Sequence, residues 1–220
     1  MQIKKPKIAV IGVKGLPGFG GAAKSTEALL EKLKYDFDIT VYSIDSHTSL
    51  KGDYHGINQI TFKSSKLKKI NTIKYYLKSM FHCLFIGKYD LIHVQHIYAG
   101  FIIPFLRIRY KVINTVRGLI PSNDNKWTKF DILFFRIFEY FSLKYSNEIV
   151  SVCAPHINYL QKRYNRDISY IPNGVSIEYN TYKNQQLYKE EYICFSAGRI
   201  IGLKGCQISS IYYHSKVLIL

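Results

Sequence analysis

A glycine-rich segment near the amino terminus, Gly15-Leu-Pro-Gly-Phe-Gly-Gly-Ala-Ala-Lys-Ser-Thr26, carries the clearest chemical signal in the chain. It follows the apolar run Ile8 to Val13 and leads into a helical pattern through Leu29, Leu30 and Leu33. Glycines let a backbone approach a ligand closely, and a helix start offers free N–H groups and a positive dipole end. That combination suits a phosphate. The dinucleotide spacing G-x-G-x-x-G is absent, which argues against a nicotinamide or flavin enzyme. A P-loop is the nearer competitor. Gly18 to Ser25 matches G-x-x-x-x-G-K-[ST] except that Ala23 stands where the last glycine belongs. A Cβ there obstructs the wrap around phosphates, and the run Leu91 to Val94 ends in Gln95 and His96 rather than in a magnesium-holding acid. A third reading is a glycine turn that closes a strand–helix unit and binds nothing.

The elements around this loop are those of an α/β domain. Ile8–Val13, Ile39–Ser43, Leu91–Val94, Val112–Val116, Ile149–Val152 and Ile168–Ile171 read as strands, several of them continuously apolar as befits strands covered on both faces. From Phe130, apolar residues recur at Leu133, Phe134, Ile137, Phe138 and Phe141, the spacing of one helical face. Ile70, Ile73, Leu77, Met80, Phe81 and Leu84 repeat that spacing. Alternation of this kind predicts a Rossmann-like parallel sheet with helices on both faces and a ligand site beyond the carboxyl ends of the strands. After Pro172 the chain turns polar. Residues 1–172 read as one domain, 173–191 as a linker, and 192–220 as the first strand of an incomplete second domain, because so short a stretch is too small for its own core.

Composition narrows the class. The formal charge is +16, and between Asp53 and Asp90 there is no acid at all, while seven lysines from Lys63 to Lys88 fall there. Such a stretch attracts polyanions, either nucleic acid or an anionic membrane face, unless it reflects a lysine-rich bias spread over a solvated surface. The four cysteines (Cys83, Cys153, Cys194, Cys206) show no C-x-x-C pair and no zinc spacing, and read as reduced structural thiols. No apolar run has the length of a bilayer span, and the first one lacks signal-peptide features, so a cytosolic protein is the plain expectation.

Four stretches belong together: Gly15-Leu-Pro to Gly20-Gly21 with Glu27 beyond; Tyr89-Asp-Leu-Ile-His-Val-Gln-His96; Thr115-Val-Arg-Gly-Leu119 with Lys126-Trp127; and Tyr170-Ile-Pro-Asn-Gly-Val175 followed by Gly198-Arg-Ile and Lys204-Gly205. In this order they resemble a known family, the retaining GT-B glycosyltransferases of family four, especially the rhamnosyltransferase-like branch. The resemblance implies an acceptor-side amino-terminal domain facing a donor domain across a cleft. It also implies transfer of a sugar from a nucleotide donor to a glycan or lipid-linked acceptor in surface polysaccharide synthesis, with no metal and no cofactor. By position, Gly20 and Gly21 would approach the donor's pyrophosphate, and Arg199 and Lys204 would clamp it, offsetting charge on the departing nucleoside diphosphate.

Arg117 stands where the family commonly holds a His or Asp at the reacting centre. An arginine cannot act as a base, so it reads as a phosphate or acidic-acceptor contact or as the mark of a decayed site. His96 is a candidate on the acceptor side, whereas His93 reads as structural. Glu27 reads as a first-turn residue favoured by the helix dipole, and Trp127 as packing a helix start. The family's paired glutamates have no counterpart, so the chain reads as truncated: inactive alone, or one subunit working with a separate carboxyl-terminal half. The resemblance excludes nucleic acid as partner, and it makes the Lys63–Lys88 stretch a candidate contact with the inner membrane face.

Overall fold

The computed structural model describes residues 4–65, 68–119 and 127–174, together with two short strands at 193–195 and 217–219. The chain divides into two compact units, residues 1–175 and 176–220. In the first unit the elements run β1 (Lys7–Lys14), α1 (Gly21–Leu33), β2 (Asp38–Ile44), β3 (Gly52–Tyr54), β4 (Ile57–Phe62), α2 (Lys68–Phe85), β5 (Leu91–Val94), a 3-10 segment (Ile97–Ile102) and α3 (Ile103–Leu106). They continue with β6 (Lys111–Val116), α4 (Lys129–Tyr145), β7 (Glu148–Ser151), α5 (Ala154–Tyr164) and β8 (Ser169–Tyr170). In the second unit β9 (Ile193–Phe195) and β10 (Val217–Ile219) pair in parallel in a sheet of their own. Most of the 173–191 segment, together with Arg199 and Lys204, lies outside the described residues.

The eight strands of the first unit are ordered β3-β4-β2-β1-β5-β6-β7-β8. Every pairing is parallel except that of β3 with β4. The chain leaves β1 in one direction through α1 and later returns to its other side at β5, so the switch point of the sheet lies between β1 and β5. Alternate residues of β1 feed two cores, as a strand with period two must. Ile8 and Val10 pack with Leu30 of α1. Ala9 and Ile11 pack with Tyr75, Tyr76 and Met80 of α2 and with Ile102, Ile103 and Leu106. The short β3–β4 hairpin was not foreseen, since its glycines and polar side chains obscure any strand pattern.

Two helices turn differently from the expectation their periodicity raises. On α4 the apolar stripe faces outward: Phe130, Leu133, Phe134 and Ile137 are exposed, while Glu139, Ser142 and Leu143 are buried. The reason is a close approach. A Cβ on Gly100 would stand 1.9 Å from the Phe138 carbonyl oxygen and 2.7 Å from the Ser142 nitrogen, so the backbone of the helix rests directly on the 3-10 segment at Phe138 and Ser142. Glu139 is accommodated inside because Tyr164 donates to it at 2.7 Å and Arg136 at 3.2 Å. On α2 likewise, Tyr75, Tyr76, Ser79, Met80 and Cys83 face the sheet, leaving Ile70, Ile73 and Phe81 exposed. Gly100→Val should therefore lower the unfolding free energy by about 3 kcal/mol or more in urea denaturation. Unchanged stability would contradict the α4 packing.

Candidate functional site

The glycine segment leaves β1 through Lys14, whose φ of 70° is a left-handed conformation unusual for a residue with a Cβ. Gly20 then precedes α1 with φ 87°, a turn that requires glycine. No side chain caps α1, so its first N–H groups are left without a side-chain acceptor. A Cβ at Gly21 would meet nothing within 4 Å, so packing in the free chain does not demand a glycine there. Because α1 begins at Gly21, Ala22 and Ala23 are already helical and cannot form the last part of a loop wrapped around phosphates. This geometry disfavours the P-loop alternative.

Glu27 sits in the second turn of α1, not the first. There its carboxylate accepts from the Gly18 N–H at 2.9 Å and from the Tyr54 hydroxyl, and so holds the glycine loop in place. The dipole role expected from sequence gives way to this tether, because a carboxylate one turn deeper reaches the loop rather than the helix end.

Arg117, just past the end of β6, is the hub of the strand ends. Its Nε and Nη2 donate to Gln95 Oε1 at 3.0 and 2.6 Å, Nη2 also to Thr26 Oγ1 at 2.7 Å, and Nη1 to Asn173 Oδ1 at 3.0 Å. It thereby ties together the end of β5, the second turn of α1 and the segment after β8. All of these acceptors are neutral, and burial of the guanidinium lowers its pKa. Among the described residues no carboxylate lies in ion-pair range of it.

His93 is held within the same network, with Gln95 Nε2 3.0 Å and Thr115 Oγ1 2.8 Å from its Nε2. Burial, and then the Arg117 charge, push its pKa down to about 4. His96, by contrast, keeps solvent-accessible surface. Its Nδ1 accepts from the Tyr98 N–H at 3.3 Å and caps the 3-10 segment, which assigns the ring proton to Nε2. Surrounding protein, then Lys14, then Arg117 hold its pKa below the ordinary histidine value. As placed, His96 is a hydrogen-bond donor at the strand ends rather than a base. Trp127 meets Phe135 edge-on at 4.9 Å, just before Thr128 caps α4 in a capping box.

The structure thus brings Gly20, Gly21, Arg117 and His96 to the carboxyl end of one sheet. Lys14, Thr26, Gln95 and Asn173 belong to that cluster and were missed, because residues far apart in sequence give no local signal when they meet. A polar hollow of about 430 Å³ lined by Asn147, Glu148, Gln161, Asn165, Arg166 and Asp167 lies at the opposite end of the strands, where β7 starts, and shares no residue with the cluster. Among the described residues no three His, Cys, Asp or Glu side chains converge as metal ligands would.

Residues 19–179 match the family model described as Glycosyltransferase Family 4. The chain belongs to Glycosyltransferase Family 4. Among solved structures it is similar to sucrose-phosphate synthase from Thermosynechococcus elongatus, at 16% identity and a TM-score of 0.73, over 98% of this chain and 61% of that one. It is also similar to Anabaena HepE in complex with UDP-glucose, at 15% identity and a TM-score of 0.67, over 97% and 59% of the two chains. A second HepE structure, with UDP and glucose, matches at 14% identity and a TM-score of 0.53, over 77% and 45%. The chain spans about three fifths of the length of the first two. No curated protein matches. The sheet order and the strand–helix alternation are those of a Rossmann-like GT-B amino-terminal domain.

One consequence is a pH dependence. A histidine whose folded pKa is lowered contributes stability that is complete above its unfolded value near 6.5 and is lost as pH falls toward about 4. Lowering the pH from 7 to 4.5 should cost about 2 kcal/mol through His93, and His93→Gln should flatten that part of the profile in denaturation experiments. An identical slope in both proteins would contradict a buried, neutral His93.

Proposed function

We propose that this chain is the acceptor-side domain of a glycosyltransferase that takes a sugar from a nucleotide donor, with the donor's phosphates approaching the uncapped start of α1 at Gly20 and Gly21. The observation that carries this reading is the bare helix start within a Family 4 domain: free N–H groups, a dipole end and a glycine at 21 that internal packing does not require. On the same reading Arg199 and Lys204, which lie outside the described residues, are the cations for the pyrophosphate. The sugar passes with retention to a glycan or lipid-linked acceptor, as in the rhamnosyltransferase-like branch, with no cofactor and no bound metal.

The HepE structures, one in complex with UDP-glucose and one with UDP and glucose, support a nucleotide sugar as the class of ligand. Calorimetric titration with UDP, GDP and dTDP should find at least one that binds, and Gly21→Val should weaken it tenfold or more while leaving the melting temperature nearly unchanged. Equal affinity in the variant would sink the placement of the phosphates at α1.

The outward face of α2, α3 and α4 fits an anionic membrane. Most of the large exposed apolar side chains among the described residues lie on this layer, including Ile73, Phe81, Phe105, Ile108, Leu133 and Phe134. Lys74, Lys78, Arg107, Arg109, Lys129 and Lys144 are exposed among them, whereas Asp131 is tied into the α4 cap and Glu139 is buried. Apolar side chains interleaved with cations suit acyl chains beneath acidic headgroups. Among the described residues no helix is long and apolar enough to cross a membrane, so the proposed contact is one of lying on the surface. Sedimentation with phosphatidylglycerol vesicles should recover the chain, phosphatidylcholine vesicles should not, and Lys74→Glu with Lys78→Glu should reduce recovery at least tenfold. Equal recovery on the neutral vesicles would contradict the charge argument.

A further inference from the structure

We propose that Lys14 and Arg117 form a binding site for a phosphoryl group carried by the acceptor. This deepens the glycosyl-transfer reading, on which it rests, by giving the acceptor side of the site a substrate class. Both cations are half-buried at the carboxyl ends of neighbouring parts of the sheet. Among the described residues the Lys14 ammonium has no hydrogen-bond or ion-pair partner, and burial lowers its pKa. Its backbone is left-handed, where the β1–β2 register shifts.

Arg117 uses its N–H groups on four contacts to neutral oxygens, which leaves one Nη1 hydrogen and the whole charge unspent. Both charges act on His96, whose Nε2–H adds a third donor. Donors from three strand-end positions, with no acceptor among them, describe a tetrahedral oxyanion as ligand. Burying two cations with no carboxylate in range is unfavourable until such an anion arrives.

The donor's phosphates are placed instead at Gly20 and Gly21, on the exposed side of α1. Arg117 reaches α1 only at Thr26, well inside the helix. Donor and acceptor phosphates would therefore occupy separate parts of one site, and the acceptor's anion would be fixed before sugar transfer.

The test is calorimetric titration of the whole chain with glucose 6-phosphate, inorganic phosphate and, as control, glucose, with UDP measured in parallel. The chain should bind the two phosphates and not glucose. Lys14→Gln should weaken phosphate binding at least tenfold with the melting temperature unchanged, since its side chain holds nothing in place. Arg117→Lys, which keeps the charge, should retain part of the affinity that Arg117→Gln loses. Gly21→Val should weaken UDP and spare glucose 6-phosphate. Phosphate binding unaffected by Lys14→Gln overturns the proposal. So does a loss of UDP binding in Lys14→Gln with no glucose 6-phosphate binding in the parent, which would assign the cations to the donor's own phosphate and leave sugar transfer standing. A chain that binds glucose 6-phosphate through Lys14 but no nucleotide supports the anion site and counts against the glycosyl-transfer reading.

Discussion

The arrangement of the strand ends depends on one guanidinium. Arg117 donates to Gln95 after β5, to Thr26 in α1 and to Asn173 beyond β8, partners up to 91 residues from it in the chain. A planar fork with fixed donor directions is suited to this, because each bond constrains the orientation of the others. The same group leaves a net positive charge at the switch point of the sheet. Structure and function meet there: the contacts that set the position of α1 relative to β5 and β6 also set the electrostatic sign of the site.

That sign is kept by exclusion of acids. Glu27, the nearest acid in sequence to the glycine loop, is turned away to hold Gly18 and Tyr54. His93 is held neutral by burial and by Arg117, and His96, at the open end of the strand, by the surrounding protein and by Lys14 and Arg117, so neither adds charge of its own near neutral pH. The loop that delivers Gly20 and Gly21 is therefore braced by Glu27 at Gly18, while Arg117 reaches the helix behind it at Thr26. On the proposed reading such an arrangement is organised for an anion before one arrives, which reduces the reorganisation that binding requires.

Much of the fold could be read from the sequence. The six strands expected in the first unit are present, with limits shifted by a residue or two, because continuously apolar runs of β-branched residues between helical patterns have few other ways to fold. The short β3–β4 hairpin could not be read. It is stabilised by Tyr54 on Glu27 and by Gln59 buried beneath Leu16, contacts that no local pattern announces. Helix orientation failed for a different reason. Periodicity on α4 and α2 locates an apolar face but does not say what covers it, and Gly100 lets the α4 backbone approach at Phe138 and Ser142, leaving Leu133 and Phe134 outside. At the strand ends, Gly20, Gly21, Arg117 and His96 stand out singly in the sequence, and the structure brings them to one end of the sheet. Gln95, Thr26 and Lys14 do not stand out, since their importance is relational: an amide, a hydroxyl and an unpaired lysine acquire meaning only beside the guanidinium they orient or reinforce.

On the proposed reading, anionic ligands of this chain gather at the start of α1 and at the Arg117 hub. A nitrogen-15 NMR titration of the labelled chain, first with UDP and then with glucose 6-phosphate, probes both places directly. UDP should progressively shift the Gly20, Gly21, Ala22 and Ala23 amides and glucose 6-phosphate the Arg117 Nε resonance, with little change at the far end of the sheet. Shifts confined to the hollow around Glu148 and Arg166, with the start of α1 silent, would contradict it.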